Sequence, residues 1–188
     1  MPKKVVVPIA QGVEEIEAVT VIDILRRAGI DVIVAGVTAD PITGRSNIRL
    51  LADRPIEQVR SVEIDMVILP GGAEGTAHLQ QSESVQRLIK ETTTQGKPVA
   101  AICAAPMVLS SLGLITGKRV TSHPSVEGKL GRVTYREERV VIDGTIITSR
   151  APGTAMEFAM ALVEVLVGKE KVAEVNRGVL ANIEHQEI

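Results

Sequence analysis

The chain has 188 residues, 21 Lys and Arg against 23 Asp and Glu, and a net charge of −2 at pH 7, with its basic residues too scattered to form a footprint for nucleic acid. One Tyr, one Phe and no Trp leave no aromatic platform for stacking bases or sugar rings, so the core has to be built from Val, Ile, Leu and Ala. A single cysteine allows no internal disulfide, no apolar run nears the roughly 18 residues of a membrane span, and no signal-peptide pattern opens the chain; the expectation is one soluble, cytoplasmic domain over residues 1–188.

The first strand is Val5 to Ile9, followed by a helix from Glu14 to Ala28 with Ala18, Val21, Ile22, Leu25 and Ala28 at helical spacing. Acids open that helix, Arg26 and Arg27 close it, and Gly29 stops it. Ile30 to Val37 and Asp65 to Leu69 read as continuous apolar strands, and a helix from Ser82 to Gln95 ends at Gly96-Lys97-Pro98. The run Val99-Ala100-Ala101-Ile102 leads into Cys103 and a helical continuation, a sharp strand-to-helix turn. Arg139–Ile142 and Thr145–Thr148 flank Asp143-Gly144 as a hairpin. Pro152-Gly153-Thr154 opens a long helix to about Gly168, with Thr154 and Glu157 spaced for a capping box, and a short helix follows from Lys169 to Asn176. Alternation of strands and helices predicts an α/β fold, a three-layer helix–sheet–helix sandwich with a mainly parallel sheet.

Ligands of such sheets bind beyond the carboxyl ends of the strands. Three segments converge there: Gln11 to Glu17, Gly71-Gly72 and the Cys103 elbow. A helix start aims N–H groups at Cys103 and favours its thiolate, although a lone Cys is equally a small buried hydrophobe. A carboxyl beside the sulfur would shuttle protons, with the N–H groups of Gly72 and Ala104 holding an oxyanion. Of Glu14, Glu15 and Glu17, at least two read as simple charge at a helix start. His123 reads either as an acid/base group near Cys103 or as a hydrogen-bonded loop residue; His78 and His185 read as surface residues. Pro70-Gly71-Gly72-Ala73-Glu74-Gly75 lacks the first glycine of a dinucleotide fingerprint, no phosphate loop is present, and one Cys with three scattered His lacks zinc spacing. No metal or cofactor is implied.

Six segments, taken in order, carry a resemblance over essentially the whole chain: Ala10-Gln11-Gly12-Val13-Glu14-Glu15-Ile16-Glu17, Leu69-Pro70-Gly71-Gly72, Ala100-Ala101-Ile102-Cys103-Ala104-Ala105-Pro106, Thr121-Ser122-His123-Pro124, Thr148-Ser149-Arg150-Ala151-Pro152-Gly153-Thr154 and Glu157-Phe158. The chain resembles the DJ-1/ThiJ/PfpI superfamily, and within it the DJ-1/YajL-like branch. The resemblance implies a flavodoxin-like sandwich, a homodimer and a reactive Cys103. It places the cysteine-facing glutamate on Glu17, the backbone oxyanion donors on Gly72 and Ala104, and the nearby histidine on His123. It implies glutathione-independent glyoxalase or deglycase activity on methylglyoxal, glyoxal and their early adducts, with oxidation sensing through a Cys103 sulfinic acid, or a chaperone role, as alternatives. Two departures bear on this. The PfpI branch has a histidine after its nucleophile where this chain has Ala104, which argues against peptidase activity. The branch's arginine near the dimer contact aligns with Ser46, with Arg45 one residue off, so the resemblance alone does not support a part for Arg45 in substrate charge.

Overall fold

The computed structural model describes residues 2–181. Eleven strands and six α-helices follow in chain order: β1 (Lys4–Ile9), α1 (Glu15–Arg27), β2 (Asp31–Gly36), β3 (Ile42–Thr43), β4 (Arg49–Leu50), β5 (Arg54–Pro55), β6 (Met66–Leu69), α2 (Ala73–Gln81), α3 (Glu83–Thr94), β7 (Val99–Ile102), α4 (Pro106–Ser111), β8 (Arg119–Val120), β9 (Thr134–Tyr135), β10 (Val140–Asp143), β11 (Ile146–Ser149), α5 (Ala155–Val167) and α6 (Lys169–Val179). Seven strands form the central sheet in the order β10-β11-β7-β6-β1-β2-β5. All neighbours are parallel except the β10–β11 hairpin.

The apolar strands are buried on both faces, which is why they read as continuous runs rather than alternating ones. Side chains still divide by parity. Val5, Val7, Ile9, Met66, Ile68, Ala100 and Ile102 join α1, α5 and α6 in one core, with Phe158 at its centre. Val6, Val67, Leu69, Val99 and Ala101 join α2, α3 and α4 in the other. This is the three-layer sandwich expected.

The α3 boundaries follow from chemistry: Ser82 caps it by accepting from the Val85 N–H, and Gly96, at φ +70°, turns the chain out after Gln95. At α5 the capping box does not form. Thr154 Oγ1 turns back to accept from the Arg150 and Ala151 N–H groups, and Glu157 faces Arg139 at 2.6 Å instead. Sequence reading did not assign α2, the β3–β4 hairpin or the two-residue strand β9.

Chain order places the site. From β1 the chain moves outward to β2 and β5, then returns to β6 on the other side of β1, so the connections diverge between β1 and β6. The loops after β1, β6 and β7 open at this point.

Candidate active site

Cys103 stands at the turn from β7 into α4 with φ +66°, a left-handed conformation that costs a non-glycine residue about 1–3 kcal/mol. Its surroundings hold it there. The Cys103 N–H donates to the Ser149 carbonyl at 3.0 Å, its carbonyl accepts from the His123 N–H at 2.8 Å, and the Ala105 N–H closes onto Ile102 at 3.0 Å. The Ser149 hydroxyl is tied in turn to the Arg139 carbonyl and to Thr154 Oγ1, both at 2.7 Å. The Thr148–Thr154 segment thus supports the elbow from behind, a role its sequence did not disclose.

Glu17, in the first turn of α1, is fully buried. The Gly71 N–H donates to its Oε2 at 2.7 Å, while Oε1 is buried with no hydrogen-bond partner of its own. The carboxyl group also interacts with the Cys103 thiol. Gly71 allows this closeness: a Cβ there would lie 2.6 Å from Glu17 Oε2 and 2.7 Å from Cys103 Cβ. The sulfur has the N–H groups of Gly72 and Ala104 as further partners. Gly72 adopts φ +93° and packs so closely on the Gly12 carbonyl that no side chain fits.

Burial pushes the Glu17 carboxyl up to about 7; the Gly71 N–H and the thiol oppose the shift, Glu14 adds to it and Arg45 subtracts. Burial also pushes the Cys103 thiol up to about 12, reinforced by the charge and hydrogen bond of Glu17 and opposed by Gly72 and Ala104. Burial opposes a charge on either group, and the two are coupled through their contact, so the pair shares its first negative charge. The Gly72 and Ala104 N–H groups favour placing that charge on the sulfur.

At least two of the three glutamates read as simple charge at a helix start; all three are buried, and Glu14 and Glu15 are tied to the residue 45–48 segment as well. Glu14 is buried and its Oε2 meets Arg45 Nη1 at 3.1 Å. Glu15 Oε1 accepts from the Ser46 and Ile48 N–H groups at 2.8 and 3.3 Å. Arg45, although one residue off the alignment, is the residue whose charge reaches the cluster. The clearest signal for it was the arginine itself in a glycine turn.

His123 lies on the segment behind the elbow, its Nδ1 paired with Ser125 Oγ at 2.7 Å. Among the described residues, the sulfur's partners are Glu17, Gly72 and Ala104, and the His123 ring is not one of them. His78 is partly exposed on α2, 3.7 Å from Glu74, and His185 lies outside the described residues. Among the described residues no group of His, Cys, Asp and Glu is arranged to hold a metal ion, and no helix is long and apolar enough to cross a membrane.

Known proteins are similar to this chain in sequence and in fold. The chain is 43% identical over 183 residues to Protein dj-1beta of Drosophila melanogaster, covering 96% of this chain and 98% of that one. The crystal structure of Drosophila DJ-1beta superposes with a TM-score of 0.94 over 97% of this chain and 100% of that one. A Caenorhabditis elegans relative, "Glutathione-independent glyoxalase DJR-1.2", is 37% identical over 163 residues, with 86% of this chain and 87% of the relative covered. Protein DJ-1 homolog A of Arabidopsis thaliana is 40% identical over 94% of this chain, which spans only 46% of that relative's length. The profile described as the DJ-1/PfpI family matches residues 3–165, and the chain belongs to that family.

Proposed function

We propose that this protein is a cysteine-dependent, glutathione-independent glyoxalase that converts methylglyoxal or glyoxal to the hydroxy acid, and acts as a deglycase on their early adducts. The observation that carries the reading is the partly buried Cys103 beside the fully buried Glu17 carboxyl, with the Gly72 and Ala104 N–H groups on the sulfur. The name of the Caenorhabditis relative supports the activity class.

Glu17 carboxylate takes the thiol proton, and the thiolate attacks the aldehyde carbon. The Gly72 and Ala104 N–H groups hold the resulting oxyanion until Glu17 returns the proton, giving a hemithioacetal. Glu17 then removes the hydrogen from that carbon and delivers it to the neighbouring carbon through an enediol, which leaves a hydroxyacyl thioester on Cys103. Water cleaves the thioester, and the products are the hydroxy acid and the free thiol. His123, held by Ser125 next to the elbow, is assigned removal of a proton from that water, and the proton returns to the leaving Cys103 sulfur. No glutathione is consumed.

Lactate formed from methylglyoxal without glutathione tests this directly. Wild type turns over, while Cys103→Ser and Glu17→Gln each lose at least about 100-fold; full activity in either variant overturns the mechanism.

The same donors favour a second role in oxidation sensing. Two equivalents of peroxide convert the thiol to sulfinic acid and two waters, and protonated Glu17 with the two N–H groups would stabilise the oxygens. Intact mass after mild peroxide should rise by two oxygen atoms in wild type and not in Cys103→Ala.

We also propose a homodimer that covers the exposed Ile16, Val19, Ile48 and Leu51.

A further inference from the structure

The excursion between β2 and β5 is fastened onto the β1–α1 loop along its whole length. The Gly12 N–H donates to the Thr43 carbonyl at 2.8 Å and the Arg45 N–H to the Val13 carbonyl at 3.0 Å. Gln11 accepts from the Thr43 N–H at 2.7 Å and donates to the Ala39 and Pro41 carbonyls. At the tip the fastening is a single carboxylate. Glu15, 4% exposed, receives the Ser46 and Ile48 N–H groups on Oε1 and keeps Oε2 buried with no partner. A Cβ at Gly44 would overlap that carboxylate, so the turn can close on it only with glycine.

A buried carboxylate with one orphaned oxygen is costly, and the contact it secures carries Arg45. The Arg45 side chain is 63% exposed and reaches back to the buried Glu14. We propose that Glu15 is a positioning residue of the Cys103 site: it clamps the β3–β4 turn so that Arg45 stays over the carboxyl cluster and sets the pH at which the Cys103–Glu17 pair gives up its first proton. This rests on the reading of Cys103 and Glu17 as a reactive pair. The groups facing Glu17 are the Gly71 N–H, the Cys103 thiol, Glu14 and Arg45. Releasing Arg45 removes a positive charge from Glu17 and leaves Glu14 uncompensated, and both effects raise that pH.

The sign separates the clamp from direct electrostatics. Deleting the negative charge of Glu15 would by itself lower the Glu17 midpoint; releasing Arg45 raises it. The experiment is the pH dependence of Cys103 alkylation by iodoacetamide, which needs no turnover. The expected result is an upward shift of the lower midpoint by about half a pH unit in both Glu15→Ala and Arg45→Ala. The double variant should shift no further. Glu15→Gln keeps size and an acceptor for Ser46, and should stay near the wild-type midpoint. A downward shift in Glu15→Gln or Glu15→Ala, or additive shifts in the double variant, overturns the clamp and leaves the pair intact. A wild-type profile that shows no lower midpoint, with Cys103 reacting as an isolated thiol, overturns the pair and the clamp together.

Discussion

At Glu17 the physical chemistry of the site is concentrated in one carboxyl group. Its pKa moves from the usual 4.5 to about 7 because folding strips its water. A raised acid pKa means the unfolded chain releases the proton first, so the cost is absent below pH 4.5, grows as pH rises to 7, and is complete above it. At about 1.4 kcal/mol per pH unit the wild type bears about 3 kcal/mol at pH 8. Glu17→Gln, which keeps the shape and an acceptor for Gly71, should match wild-type stability near pH 4 and exceed it at pH 8. Urea unfolding at the two pH values checks this, and a difference independent of pH would contradict a neutral-range carboxyl. Sequence pointed to Glu17 only through the resemblance. Glu14, Glu15 and Glu17 look alike in the chain, and what separates them is which backbone N–H or sulfur meets each one.

At the scale of elements, three loops meet because β1, β6 and β7 are neighbours in the sheet. Their approach is limited by Gly71, which has no room for a methyl group between Glu17 and Cys103. Gly71→Ala should therefore push the two apart, costing about 1–3 kcal/mol in stability and most of the methylglyoxal turnover. An active variant of unchanged stability would mean that the spacing is not critical. The long apolar strands, α1 and α3 were legible because burial on two faces and helical periodicity leave strong patterns. The hidden elements were short or polar. β3, β4 and β9 have two residues each, and α2 opens with small residues behind the glycine pair. Thr154 and Glu157 had the spacing of a capping box, yet Thr154 instead closes the turn behind Ser149 and Glu157 pairs with Arg139. Spacing records which partners are possible, and tertiary neighbours decide between them.

For the whole molecule, the sandwich places Cys103 by the divergence of the sheet, and the residue 39–50 excursion is fastened to the neighbouring β1–α1 loop. Ile16 and Ile48 lie next to Glu15 in sequence or by hydrogen bond, and both are more than half exposed. The proposed homodimer would cover them. Sedimentation velocity should give a two-chain mass for wild type and a one-chain mass for Ile48→Glu; a monomeric wild type would contradict that assembly. The resting state of the pair was the least legible property of the molecule. A strand-to-helix turn points to a thiolate from N–H groups alone, whereas packing Cys103 beside the buried Glu17 raises both acids and couples their protons. The measurement that tests this most directly is kcat/KM for methylglyoxal from pH 5 to 9 without glutathione, for wild type and Glu17→Gln. If Glu17 must be ionised to accept the thiol proton, the wild-type profile rises through a midpoint near 7 and Glu17→Gln stays low throughout. A flat wild-type profile, or a Glu17→Gln profile that superposes on it, would contradict the account.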